Sequence, residues 1–393
     1  MSWQDGCLIL QRDEEEIMTQ LLNLNDMVCS RYYSRLIHLA TSEKVDSTYL
    51  NDVLFHYHQL LWERMHSVTW KDVPDVYCGL FGLVTALLII LKADHLESKS
   101  IQDTKDFGDS VCNLQRLADL GILMGGKTYV LLLQQVLIRL KALNSQHIHL
   151  THSYHEPSGN NLIRKQKIPK TKHATLRSPI AKVSTMSLQD FYEHYLLTDT
   201  PIVLTEAMQD WKALQTWHKV EYLQSVLGDR TVPVEMGASY LSPDYSASLM
   251  RGGDFIQHCL LTRDKQGYLA QHALLEQVAE LQEDIVTPDF CCLLREEDGQ
   301  TDEVLRNAWL GPCNTVSPLH YDCFHNLLAQ VVGESCNPSP HTCHHASCSP
   351  VPFCVGCKFI RLYAPSCSHA LRPMEGKMRN NRCPYIPLIY IRL

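Results

Sequence analysis

The spacing of apolar residues changes character partway along this chain of 393 residues. In the first part, apolar residues recur at intervals of three, four and seven, which is the period of one buried helix face. Two segments show this spacing: Leu50, Val53, Leu54, Tyr57, Leu60 and Leu61, and later Leu133, Val136, Leu137 and Leu140. After Met186 the apolar runs are short and broken by Gly and Pro, as in strands separated by turns. The sequence therefore predicts an α+β protein, helical over residues 13–145 and then a sandwich or barrel of strands.

This pattern divides the chain into three segments. We predict a helical domain over residues 1–150 that binds a partner or the second domain, a linker over 151–182, and a β domain over 183–393. The linker is basic, with Arg164, Lys165, Lys167, Lys170, Lys172, Arg177 and Lys182. Such a segment is typical of a nuclear-import signal, of a contact to an acidic partner, or of a solvated tether.

Charge and apolar run length restrict the class of protein. The net charge of −8 argues against nucleic acid as a direct partner of the whole molecule. No basic start followed by a long apolar run is present, so we expect no signal peptide. The longest apolar stretch, residues 78–91, is shorter than the ~20 residues that cross a bilayer. It predicts a buried helix and no membrane contact.

Cysteine is distributed unevenly along the chain. Seven of the 16 cysteines are scattered over residues 1–312 without paired spacing, which indicates reduced, buried thiols of an intracellular protein. The other nine lie between Cys313 and Cys383. This crowding marks a compositional break near Gly333.

Residues 121–128, Gly-Ile-Leu-Met-Gly-Gly-Lys-Thr, match the phosphate-binding pattern G-x-x-x-x-G-K-[ST]. That mechanism requires a strand before the loop and a helix after it. The preceding residues have Leu114, Leu117 and Leu120 at helical spacing. We therefore interpret the segment as a turn between helices, and nucleotide binding stays open only if a strand precedes Gly121.

His320-Tyr321-Asp322 places an imidazole and a carboxylate two residues apart. Successive side chains of a strand alternate between faces, so His320 and Asp322 point to the same side. Two His and one carboxylate form the facial triad that binds Fe(II) and leaves positions open. The pair therefore supplies two of the three ligands of such a site.

Six segments place this pair in a wider context. They are Pro201-Ile-Val-Leu, Arg230-Thr-Val-Pro-Val-Glu-Met-Gly, Gly267-Tyr-Leu-Ala-Gln-His, Asn307-Ala-Trp-Leu-Gly-Pro, Ser317-Pro-Leu-His-Tyr-Asp and Lys358-Phe-Ile-Arg-Leu-Tyr. In this order they resemble the JmjC family of 2-oxoglutarate oxygenases, over residues 183–333 and 358–363 and more loosely over residues 1–150. The resemblance implies a double-stranded β-helix, or jelly roll, and the departures from the family described below predict that it is incomplete at its C-terminal end.

The resemblance also implies a site. It assigns His320 and Asp322 to Fe(II), and it assigns 2-oxoglutarate to Tyr268, Ser317, Asn326 and Lys358. A buried lysine neutralises the distal carboxylate of the cosubstrate as a point charge. Glu235 and Trp309 are the candidates for the substrate, since a carboxylate pairs with a guanidinium and an indole stacks on it.

We therefore predict a nuclear, secondarily cytoplasmic, Fe(II)- and 2-oxoglutarate-dependent dioxygenase that hydroxylates a protein side chain, arginine in the first place. Histone lysine demethylation and cleavage of histone tails are weaker alternatives from the same resemblance. The expected partners are a protein or histone-tail substrate and a chromatin-associated protein bound by the helical domain. The rival hypothesis is a catalytically impaired splice isoform or pseudoenzyme that binds partners.

The rival hypothesis depends on departures from the family. The third iron ligand of the family is a histidine late in the barrel, and no histidine after Asp322 has its context; they are His325, His341, His344, His345 and His369. Residues 334–357 form a Cys-, His- and Pro-rich insertion, and residues 364–393 are also foreign to the family. A zinc module is an alternative for the insertion, with Cys354 and Cys357 as one half-site and Cys343 with His345 or Cys348 as the other.

Overall fold

The computed structural model describes residues 3–42, 46–98, 104–151, 180–237, 243–293, 304–312, 326–332, 359–363 and 385–392. The chain divides into two compact units, Met1–Gly159 and Asn160–Leu393. Among the residues described, the first unit contains only helices and the second contains every strand. The predicted α+β class, with a helical region followed by a β region, is confirmed.

The described part of the first unit forms seven α-helices. They are α1 (Trp3–Arg12), α2 (Glu14–Asn23), α3 (Met27–Ala40), α4 (Ser47–His66), α5 (Asp75–Ser98), α6 (Thr104–Met124) and α7 (Val130–Thr151). The helical prediction began at residue 13 and missed α1, which buries only Gly6, Cys7 and Leu10 and so carries little apolar periodicity. The predicted faces of α4 and α7 are buried, except that Leu60 is only partly covered.

Helix α5 is the core of the first unit. Sixteen of its 24 residues are buried. By length and composition alone the helix could cross a membrane, but 78% of its most apolar window is buried inside the protein. A helix that is apolar all round and covered by neighbouring helices is a core helix. The prediction of a buried helix over this stretch is confirmed.

Helix α6 overturns the nucleotide-binding alternative. Gly121 lies within α6, so a helix rather than a strand precedes the loop. The glycines of the motif serve packing instead: a Cβ at Gly125 would overlap the Gly121 carbonyl and lie 2.8 Å from the Cα of Gly82. Gly126 has a φ of +66°, which favours glycine at this turn into α7. The segment is the predicted turn between helices.

We expect Gly125→Ala to destabilise the first unit by about 1–3 kcal/mol, because the added methyl group forces apart two backbone segments. Gly108→Ala is the matched control, since it lies in α6 with no atom within 4 Å of an added Cβ. That change should stabilise the helix by about 0.5–1 kcal/mol. Urea unfolding of both variants checks this, and equal effects would contradict the packing account.

The second unit contains short helices and nine described strands. The helices are α8 (Leu188–Phe191), α9 (Ala213–Thr216), α10 (Val220–Leu227), α11 (Gly252–Phe255), α12 (Leu274–Gln277) and α13 (Ala279–Gln282). The strands are β1 (Ala181–Val183), β2 (Ile202–Leu204), β3 (Thr231–Met236), β4 (Ser246–Arg251), β5 (Gly267–His272), β6 (Leu305–Pro312), β7 (Asn326–Gln330), β8 (Phe359–Tyr363) and β9 (Tyr385–Arg392).

These strands form one sheet in the order β1-β2-β8-β7-β9-β6-β5-β3-β4. From β7 to β4 every neighbouring pair is antiparallel, as in the sheets of a jelly roll. The pairs β1–β2, β2–β8 and β7–β8 are parallel. Strand β9 comes from the tail that is foreign to the family, and it pairs with β6 on one side and β7 on the other. The tail therefore contributes a strand to the middle of the sheet.

One face of this sheet packs against the short helices. The buried core joins Val234, Leu269 and Leu310 of the sheet with Leu227 of α10 and Leu281 of α13. Covering this face with helices leaves the opposite face of β3, β5 and β6 for other roles.

Asp284, which follows α13, is fully buried and connects three segments of this layer. One oxygen, Oδ2, accepts hydrogen bonds from Trp217 Nε1 (2.7 Å) and from the Tyr222 hydroxyl of α10. The other oxygen, Oδ1, lies 3.0 Å from Lys212 Nζ. Asp284 thereby fixes α9 and α10 against the chain after α13.

Candidate functional site

Strands β3, β5 and β6 place three predicted site residues on the face away from the helices. Glu235 of β3 lies directly opposite Tyr268 of β5, and directly opposed residues share a face. Leu269 is paired with Leu310, and both belong to the helix-covered core. Because side chains alternate along a strand, Tyr268 and Trp309 lie on the other face together with Glu235.

Strand β7 adds the fourth described residue. Across β9, Trp309 and Gln330 are both paired with Leu388, so Trp309 and Gln330 share a face. Asn326 is four residues before Gln330 on β7 and points the same way. The alternate residues Leu327 and Ala329 belong to the helix-side core instead. We call the face that carries Glu235, Tyr268, Trp309 and Asn326 the site face.

The register therefore places these four predicted residues on one face, and their roles stay predictions. The other four predicted residues, namely Ser317, His320, Asp322 and Lys358, lie outside the described residues and stay predictions. Two of them are close in sequence to described strands. Asp322 is four residues before Asn326, the first residue of β7. Lys358 directly precedes Phe359, which is paired with Asn326. Within the described ranges, no group of three or more His, Cys, Asp or Glu side chains is placed to hold a metal ion.

Glu235 has the electrostatic character of a cation-binding carboxylate. Partial burial raises the pKa of its carboxyl group above the ordinary value. Among the described residues no Lys or Arg forms an ion pair with it. A partly desolvated carboxylate without a counter-charge gains more from a cation than one in free solution. Trp309 and Tyr268 are half-buried on the same face and supply aromatic surface.

Gln330 is a polar residue of the site face that the sequence reasoning missed. Its side chain is fully buried, and its Nε2 donates to the Val332 carbonyl at 2.7 Å. Its Oε1 accepts no hydrogen bond from the part of the chain that is described. The alternation that assigns Asn326 to the site face also assigns Gln330, so parity along β7 was the available signal.

Two further sequence predictions concern cysteine and the insertion. Cys7, Cys29, Cys78, Cys259 and Cys291 are free and buried, as predicted, but Cys112 is only partly covered and Cys292 is exposed. Cys292 ends a short 3₁₀ turn at the surface, which spacing alone does not reveal. The zinc candidates Cys343, His345, Cys348, Cys354 and Cys357 lie outside the described residues, as do the histidines after Asp322 considered as a third iron ligand.

Comparisons with known proteins agree with this architecture. A family model described as a cupin-like domain matches residues 188–336. Lysine-specific demethylase 8 of Xenopus tropicalis is 40% identical over 205 residues, which are 51% of this chain and 40% of the relative. Jumonji C domain-containing protein 5 of Drosophila melanogaster is 38% identical over 279 residues, or 69% of this chain and 64% of the relative.

Lysine-specific demethylase JMJ30 of Arabidopsis thaliana is 32% identical over 300 residues, 70% of this chain and 65% of the relative. The chain thus spans less than two thirds of the length of each of these three relatives. The match and the sheet define a protein of the cupin-like class. Within that class the chain belongs to the JmjC family, and it is similar to lysine-specific demethylase 8 and its homologues. Membership implies Fe(II) and 2-oxoglutarate as cofactor and cosubstrate.

Proposed function

We propose that the chain is an Fe(II)- and 2-oxoglutarate-dependent oxygenase that hydroxylates an arginine side chain of a protein substrate. The observation that carries the proposal is the site face: Glu235, Tyr268, Trp309 and Asn326 come from four strands and share one side of the sheet. Separate strands supply the substrate candidates and the cosubstrate candidates, so both molecules would meet on this face.

The chemistry of the predicted donors suits the two implied groups, with two of the three iron ligands assigned. His320 and Asp322 would hold Fe(II), which supplies the activation of oxygen that C–H hydroxylation requires. Lys358 would neutralise the distal carboxylate of 2-oxoglutarate, with Tyr268, Ser317 and Asn326 as hydrogen-bonding partners. Asn326 is paired with Phe359, which directly follows Lys358 in the sequence, and this pairing supports the assignment.

The substrate end of the face suits a guanidinium. Glu235 would pair with the cation, and the indole of Trp309 would stack on its plane. Binding of the cation would return the pKa of Glu235 towards its ordinary value, because a nearby positive charge favours the ionised form. These contacts would hold the aliphatic part of the substrate arginine, where hydroxylation takes place, in a fixed position relative to the metal ligands. Such positioning lowers the barrier to reaction.

A second candidate function has its own observation. The family match ends at residue 336, before the position where the family's third histidine ligand is expected. A chain that keeps only His320 and Asp322 would bind Fe(II) weakly and act as a partner-binding relative of the enzymes. The structured first unit, with its continuous helical core, is then the part that binds the partner.

Succinate release from 2-oxoglutarate distinguishes the two candidates. The full chain is incubated with Fe(II), 2-oxoglutarate and a peptide with one central arginine, beside His320→Ala and a peptide with glutamine at that position. The enzyme proposal predicts arginine-dependent succinate that His320→Ala abolishes. Succinate at the level of the His320→Ala variant in every sample would support the partner-binding candidate.

A further inference from the structure

Strand β4 forms one edge of the sheet and is largely exposed. Its six residues pair with β3 on one side, and no described strand pairs with its other side. Five of the six residues are exposed, and the sixth, Met250, is partly covered. Leu249 has 52% of its surface exposed in the middle of the strand. The strand therefore presents backbone groups and side chains to an incoming partner.

The hydrogen bonds around β3 show which backbone groups of β4 face outward. Alternate residues of a strand direct their N–H and C=O groups to the same neighbour. Gly252 N–H donates to the Arg230 carbonyl at 2.7 Å, whereas Gly237 N–H donates towards β5, to the Gln266 carbonyl at 3.2 Å. The even-numbered residues of β3 and β4 are thus bonded to each other, and Ala247 and Leu249 direct their N–H and C=O groups away from β3.

The edge also lacks the usual protection against pairing. Natural edge strands are blunted by Lys, by Pro, by bulges or by being very short. The register of β4 with β3 runs over six residues without a break; β4 contains neither Lys nor Pro, and its one charged residue, Arg251, is the last of the strand. The opposite edge, β1, is only three residues long. An unprotected edge of this length is expected where a strand is added in function.

We propose that β4 is the docking edge for the protein substrate, which binds as an extended segment and adds one strand to the sheet. The inference rests on the proposed function, because it extends the substrate site that begins at Glu235. The chemical class of the partner is an extended peptide segment that carries an arginine.

The register supplies the charge complementarity for this occupant. Ala247 is paired with Glu235, so the two residues share the site face and adjoin each other. A residue of the added strand opposite Ala247 would be two strand spacings, roughly 9.6 Å, from Glu235. Only a long cationic side chain crosses that distance, and the methyl group of Ala247 leaves the way clear. Backbone pairing thus binds the segment, and Glu235 selects its arginine.

Hydrogen exchange with a peptide of about ten residues, bearing one central arginine, tests the docking edge. We expect the amides of Ala247 and Leu249 to exchange more slowly when the peptide is added. Leu249→Pro removes an outward N–H and no bond to β3, and it should weaken binding by roughly tenfold. Leu249→Ala keeps the N–H and should bind almost as the unchanged protein does.

A second arm leaves the protein unaltered, so a folding defect cannot imitate the result. In an extended peptide, N-methyl groups on alternate residues block the N–H groups along one side of the segment. Two such peptides, methylated on one or the other alternate set, therefore differ in which side is blocked. We expect the peptide whose blocked side must face β4 to lose affinity and the other to keep it. Unchanged exchange at Ala247 and Leu249, together with arginine hydroxylation, would overturn the docking edge while leaving the proposed function intact. Slowed exchange without hydroxylation would support the edge and contradict the function.

A second copy of the chain is the other possible occupant. Pairing of β4 with β4 would slow exchange in the absence of peptide and would depend on protein concentration. Sedimentation showing a dimer that Leu249→Pro dissociates, with no effect of the peptide, would overturn the proposal in favour of self-association.

Discussion

Asp284→Ala is expected to lower the free energy of unfolding of the second unit by about 3–5 kcal/mol, because it removes a buried carboxylate that accepts two hydrogen bonds. The substitution leaves the Trp217 indole N–H and the Tyr222 hydroxyl without their acceptor. Each buried donor left unpaired costs about 1–3 kcal/mol. Lys212 also loses its partner, although its exposed side chain contributes little.

Urea unfolding followed by tryptophan fluorescence measures this effect, since Trp217 reports directly on the site of the change. Asp229→Ala is the matched control, because Asp229 is an exposed carboxylate of the same unit that pairs with exposed Arg251 at 2.7 Å. Its loss should cost less than about 1 kcal/mol. Equal losses for the two variants would show that Asp284 does not hold α9 and α10 in place.

Lys358→Ala is expected to weaken 2-oxoglutarate binding by at least roughly thirtyfold, the equivalent of about 2 kcal/mol. The distal carboxylate of the cosubstrate would enter a largely apolar layer without a counter-charge, and an unpaired charge there is unfavourable. Lys265→Ala is the control, since Lys265 is exposed in the same unit and its loss changes the net charge equally. Calorimetry on the three proteins gives the affinities, and equal values would remove Lys358 from the site.

The spacing of apolar residues in the sequence predicted the features of this fold that repeat along a single helix. The apolar spacing of α4 and α7 identified their buried faces, and the helical spacing before Gly121 was enough to favour a turn over a phosphate-binding loop. Asn326 was instead selected by the family resemblance, and the register of β7 places it on the site face. Side-chain alternation and helical period are properties of a few neighbouring residues, so the sequence carries them directly.

Other features depend on contacts between distant segments and were not predictable in this way. Strand β9 lies between β6 and β7, although some 50 residues or more separate it from either along the chain. Trp217 and Tyr222, which donate hydrogen bonds to Asp284, lie 67 and 62 residues before it in the chain. The outer side of β4 is open because no other described strand pairs with it, and this depends on where the rest of the sheet lies. Such features follow from tertiary packing and not from periodicity.

Mass spectrometry of an arginine-containing peptide incubated with the full chain, Fe(II) and 2-oxoglutarate tests the central claim most directly. We predict the mass increase of one oxygen atom on the arginine, dependent on 2-oxoglutarate. The increase should be lost in Asp322→Ala and strongly reduced in Glu235→Gln, which keeps the size of the side chain and removes its charge. An unmodified peptide under conditions where the chain binds Fe(II) and 2-oxoglutarate, or modification unaffected by Glu235→Gln, would contradict arginine hydroxylation on the site face.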